Sequence, residues 1–135
     1  MPGSSLWLLP PSSHTLQPVF TSLIRKTSSI FNSPHLFIPH ITLTSSISPS
    51  TYEPDAQKWL NSLVLPSLES EPLVHVGFKG LESENIFFKK LYVQVEKPGL
   101  EELARVTRMT VAGYEDPEVA RKWVEEEYKP HLSLL

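Results

Sequence analysis

Pro39-His40-Ile41-Thr42-Leu43 and Pro130-His131-Leu132-Ser133-Leu134 are two copies of one phrase: proline, histidine, an apolar residue, a hydroxyl residue and leucine. Along an extended strand successive side chains alternate between faces, so residues two apart share a face. Each copy therefore sends an imidazole and a hydroxyl the same way. The opposite face carries Phe37, Pro39, Ile41 and Leu43 in the first copy, and Pro130, Leu132 and Leu134 in the second, giving each strand an apolar underside to bury. Strands commonly carry His, Thr and Ser on a wet face, so a single copy says little. Pro34-His35-Leu36-Phe37 shows that a bare Pro-His step is common currency in this chain. The whole phrase, given twice and far apart, predicts that His40, Thr42, His131 and Ser133 meet. Facing one another, they make a site with two proton-transfer groups and two hydroxyl donors, a set suited to a phosphodiester.

Around these copies the chain reads as an alternation of strands and helices. Leu6 to Leu9 is a short strand stopped by Pro10-Pro11, and Ser12 and Ser13 offer N-caps to an amphipathic helix over residues 14 to about 31. Its apolar positions are Leu16, Val19, Phe20, Leu23 and Ile24. After the first motif strand, Ser48-Pro49-Ser50 marks a break, and Asp55 caps a helix with Trp59, Leu60 and Leu63 as its stripe, closing near Pro66. Leu73 to Lys79 and Ile86 to Val95 form a predicted antiparallel hairpin with Glu82-Ser83-Glu84-Asn85 at its turn. Within it Phe88, Lys90, Tyr92 and Gln94 share a face that reads as a cleft wall. Pro98-Gly99 precedes a helix carrying Leu100, Leu103, Val106 and Val111 and ending near Gly113; Asp116-Pro117-Glu118 starts another, with Val119, Trp123 and Val124 on its buried side. The order is that of an α+β protein with mainly antiparallel pairing.

At 135 residues the chain fits one domain, long enough to bury about two-thirds of its unfolded surface. A hydrophobic content of 40% with 20% charged residues is that of a soluble globular protein, and a net charge of -3 supplies no broad basic field for a nucleic-acid backbone. Long nucleic acid is not an expected partner; a small phosphorylated nucleotide needs only a local site. The chain has no cysteine, which removes disulfides and thiolate metal sites. Its start lacks the basic region of a signal peptide, and no apolar run is long enough to span a bilayer, so the expectation is a soluble intracellular monomer with no membrane partner.

Hydrolysis of a cyclic phosphodiester needs a base for water, an acid for the departing sugar oxygen, and donors for the charge that grows on the non-bridging oxygens. Imidazole, with an unperturbed pKa of about 6.5, suits both proton roles near neutral pH. His40 and His131 are the expected acid-base pair, with neither role assigned to either residue, and Thr42 and Ser133 are the expected phosphate donors. An HExxH-like spacing is absent and each copy carries one good ligand, so no metal or other cofactor is expected. The five glycines form no phosphate loop. Weaker candidates for substrate binding are Trp7, which can stack a base, and Lys90 and Tyr92, which can meet phosphate or ribose; His14 and His75 read as ordinary polar residues.

The paired His-x-Thr/Ser phrases resemble the two-histidine (2H) phosphoesterase superfamily. With Ser5-Leu6-Trp7-Leu8-Leu9-Pro10-Pro11 at the start and Thr44-Ser45 after the first motif, the chain resembles the fungal 2',3'-cyclic-nucleotide 3'-phosphodiesterases over essentially its whole length. The resemblance implies a bilobal fold in which two mainly antiparallel sheets face each other across a central groove, with helices outside. One lobe would use about residues 1–66 plus 130–135 and the other about 70–128. Similar proteins continue past the second motif with further strands, so the resemblance implies a sheet that is C-terminally incomplete here. It also implies metal-independent opening of nucleoside 2',3'-cyclic phosphates to 2'-phosphates, and of ADP-ribose 1'',2''-cyclic phosphate, a by-product of tRNA splicing, to the 1''-phosphate. The alternatives are a 2H enzyme acting on RNA ends, related to 2'-5' RNA ligases, and a module that binds phosphate or RNA ends without turnover.

Overall fold

β-Branched and aromatic residues between proline and serine punctuation set the strands, and capped stretches with helical apolar spacing set the helices. The computed structural model describes residues 3–66, 74–85 and 91–135. Strand β1 (Ser4–Leu8) is followed by α1 (Leu16–Ile30) and β2 (Ile41–Ile47), then two short helices, α2 (Pro49–Tyr52) and α3 (Ala56–Ser62). Strands β3 (Phe78–Glu82) and β4 (Tyr92–Val95) form the hairpin. A single 3₁₀ turn (Pro98–Leu100) leads into α4 (Glu101–Arg108), α5 (Pro117–Glu126) and β5 (His131–Ser133). The α+β order expected from the sequence is thus present, with α2 as an extra turn of helix where a break was expected. The predicted strands at Leu73 and at 86–90 lie outside the described residues.

All five strands belong to one sheet of order β1-β2-β5-β4-β3, and the β2/β5, β5/β4 and β4/β3 ladders are antiparallel. The two motif strands are therefore neighbours in this sheet. Main-chain hydrogen bonds pair them with each other, because β2 and β5 each bring an apolar underside that is buried most fully when shared. A second, facing sheet is not among the described residues.

The chain falls into two compact units. One consists of Trp7–Thr42, Phe78–Val95 and Pro130–Leu135; the other of Met1–Leu6, Leu43–Gly77 and Glu96–Lys129. The first unit buries Phe20, Ile24, Ile41, Tyr92, Val95, Leu132 and Leu134, and the Phe20 and Phe78 rings meet at 5.2 Å. In α1 the buried positions are Phe20, Ile24, Thr27 and Ser28. Val19 and Leu23, expected on that stripe, stand exposed, since an i, i+4, i+7, i+8 row leaves them at its edge. The expected serine caps are not used either: the N-cap is Thr15, and His14 Nδ1 accepts the Leu16 amide at 3.1 Å.

In the second unit α4 and α5 pack together, burying Leu103, Ala104, Ala120 and Val124 along with Leu100 and Val111 beyond the ends of α4. Helix α4 stops at Arg108, short of Gly113, whose φ of +93° suits the turn that follows. Two expected caps are in place: the Asp55 carboxylate accepts the Lys58 amide and the Asp116 carboxylate accepts the Glu118 amide. On α5 the expected buried residue Val119 is exposed and Ala120 takes its place. Trp123, one turn on, stacks on the buried Arg108 guanidinium 4.2 Å from its ring centre, with Tyr114 4.0 Å away on the same cation.

Candidate active site

Ile41 and Leu132 are Cα partners in the β2/β5 ladder and both are buried, as are Pro39, Leu43, Pro130 and Leu134. The apolar faces of the two motifs therefore coincide, and His40, Thr42, His131 and Ser133 are all half-buried on the other face. An antiparallel ladder runs its partners in opposite directions. With Ile41 on Leu132, Thr42 stands opposite His131, and His40, the residue before β2, stands opposite Ser133. Each imidazole is thus flanked by the hydroxyl of the other copy. The two histidines lie on a diagonal of the ladder, a relation that spans about 7–8 Å between backbone positions.

His40 is held from three sides. Its Nδ1–H donates to the Ile38 carbonyl at 2.7 Å, which assigns the proton to Nδ1 because a carbonyl only accepts, and leaves Nε2 as the nitrogen outside that bond. The Trp7 indole lies on the imidazole with centroids 3.8 Å apart and planes at 17°. Phe37 presents an edge contact at 6.3 Å and 76°. Phe37 was expected on the buried face. It escapes that alternation because residues 33–40 are not strand, so period two does not bind them.

His131 has a different setting on β4. In that ladder Ser133 pairs with Tyr92, Leu132 with Val93 and His131 with Gln94, so Tyr92 and Gln94 share the motif face. The Tyr92 ring meets His131 edge-on at 5.3 Å and 69°. Glu82 pairs with Tyr92 from β3 and extends the same face. Burial raises the Tyr92 hydroxyl above its usual range, and the Glu84 carboxylate, which accepts its hydrogen bond, and Glu82 push the same way. The phenol is thus kept neutral and engaged by a carboxylate, a poor arrangement for meeting a phosphate directly.

Of the sequence candidates, the structure gathers His40, Thr42, His131, Ser133, Trp7 and Tyr92 on or beside one face of the first unit; Lys90 lies outside the described residues. Trp7 gives one face to His40. Phe37, Glu82 and Glu84 were missed as neighbours of the site, whereas Gln94, read on the cleft-wall face with Tyr92, pairs with His131. Of the other histidines, His14 serves the start of α1 and the His75 amide donates to the Gly99 carbonyl. Among the described residues no three His, Asp or Glu side chains gather as metal ligands, and no helix is long and apolar enough to cross a membrane.

The sequence matches the family described as "Cyclic phosphodiesterase-like protein" over residues 1–135. It is 51% identical over 136 residues to a 2',3'-cyclic-nucleotide 3'-phosphodiesterase of Phaeosphaeria nodorum, covering 100% of this chain and 69% of that protein. It is 37% identical over 153 residues to one from Neurospora crassa, covering 100% of this chain and 71% of the relative. A third, from Yarrowia lipolytica, is 32% identical over 161 residues, covering 98% and 72%. The doubled histidine phrase, its reciprocal pairing across β2 and β5, and these likenesses along the whole chain agree: the chain belongs to the cyclic phosphodiesterase-like protein family.

Proposed function

We propose that this chain is a hydrolase that opens small cyclic phosphodiesters, taking nucleoside 2',3'-cyclic phosphates to 2'-phosphates. In this reading one histidine accepts a proton from water as the water oxygen bonds to phosphorus. The bond from phosphorus to the 3'-oxygen breaks in line, and the other histidine protonates that oxygen. Thr42 and Ser133 hydroxyls donate to the non-bridging oxygens, where charge builds in the transition state. The carrying observation is the β2/β5 register with Ile41 on Leu132, which sets each imidazole beside the other copy's hydroxyl on a shared face. The Nδ1–H bond of His40 to Ile38 supports Nε2 as its proton-transfer atom. Both proton groups are side chains, so the step is written without a metal, and one chain supplies all four groups, so it needs no second copy.

ADP-ribose 1'',2''-cyclic phosphate, the by-product of tRNA splicing that the resemblance brings with it, presents the same strained diester on a ribose and belongs to the same substrate class. The two-lobed groove implied by the resemblance would supply the second wall of the site. Incubation with 2',3'-cyclic AMP in excess EDTA, read by phosphorus NMR, tests the proposal. Conversion to the 2'-monophosphate is expected, with His40→Ala and His131→Ala inactive. Binding without conversion would mark a phosphate-binding module instead, and EDTA-sensitive conversion would overturn the metal-free step.

A further inference from the structure

The two histidine phrases are nearly the same in sequence, yet their rings are dressed differently. His131 is met by the edge of Tyr92 at 69°, whereas His40 lies almost parallel to Trp7, 17° off and 3.8 Å away. A hydrogen bond from Nδ1 to Ile38 fixes which way the imidazole is flipped, but leaves the ring free to swing about that bond. A flat aromatic surface removes that swing and shields one face of the imidazole from water. Trp7 reaches His40 from β1, far from the motif in sequence, and is 48% exposed, so little of the core depends on it.

We infer that Trp7 is a positioning residue for His40, holding the ring so that Nε2 points to the shared face, and that it makes the two histidines unequal. The inference rests on the acid-base reading above for its consequence in turnover. It assigns Trp7 a different job from base stacking, which would use the indole for substrate and not for the enzyme's own ring.

Trp7→Leu and Trp7→Phe separate the two jobs. Positioning predicts that Trp7→Leu lowers kcat for 2',3'-cyclic AMP about tenfold with KM held to within about twofold, and that Trp7→Phe recovers most of the loss. NMR relaxation of the imidazole ring carbons gives a readout independent of turnover: motion of the His40 ring should increase in Trp7→Leu while that of His131 stays the same. Unchanged motion of the His40 ring in Trp7→Leu, or a loss falling wholly in KM, overturns the inference. If the unsubstituted chain converts no cyclic phosphate, the acid-base reading fails, and the motion of the His40 ring still decides whether Trp7 positions it.

Discussion

His40 and His131 carry the same chemistry in different surroundings, and that difference is where substitutions report most. In the proposed reaction, removing either imidazole takes away one proton-transfer partner, a group that contributes about 10²- to 10⁴-fold. His40→Ala and His131→Ala should each lower kcat by that order while circular dichroism stays unchanged, since both rings are only half-buried. Thr42→Val and Ser133→Ala keep the strands but delete a donor, and a loss of about 10²-fold in kcat is expected for each. A rise in KM alone would not fit a donor that acts on transition-state charge. All four residues were legible in the sequence, because spacing by two is a local rule that needs no knowledge of the fold. The Ile38 carbonyl and the Trp7 plane around His40 were not, because residues 33–40 follow no strand period and β1 is distant in sequence.

The elements hold the site through the β2/β5 ladder. Leu132→Ala or Ile41→Ala removes a buried side chain between the motif strands, and each should cost about 2–5 kcal/mol in urea unfolding. Because both residues anchor the register that pairs Thr42 with His131, activity should fall in the fraction that remains folded. At the helix ends, Asp116→Ala deletes the cap on the Glu118 amide and should cost about 1 kcal/mol, with Asp116→Asn recovering much of it. Caps and proline starts were read correctly at Asp55 and Asp116, since a carboxylate before a helix satisfies a local amide whatever the tertiary context. Apolar stripes were read less well. Val19, Leu23 and Val119 have the right chemistry and stand exposed, because a stripe only says which face can be buried and the neighbouring element decides how wide that face is.

For the molecule as a whole, two buried phenols set the alkaline limit. Burial raises Tyr128 well above its usual range, and burial with the Glu84 carboxylate raises Tyr92. Both folded-state values lie above the unfolded value of 10.0, so below that pH their contribution to stability is fully present. It is lost as pH rises through the folded values, because the unfolded chain then releases protons that the folded chain keeps. Thermal melting should therefore fall steeply above about pH 10, and Tyr128→Phe should flatten that slope. The net charge of -3 bears on the substrate. Oligonucleotides ending in a 2',3'-cyclic phosphate should show KM values no lower than the mononucleotide, with little dependence on salt, since a net charge of -3 supplies no broad basic field.

The amino-acid order by itself determined the α+β alternation, the caps at Asp55 and Asp116, and the four residues that share a polar face. Each of these follows from rules acting over a few residues of backbone. Only the tertiary structure decided that β2 and β5 are bonded neighbours in one sheet, that Trp7 lies on His40, and that Tyr92 is bound to Glu84. Pairing between strands far apart in the chain depends on which apolar faces bury each other best, and that choice belongs to the whole fold and not to any one segment.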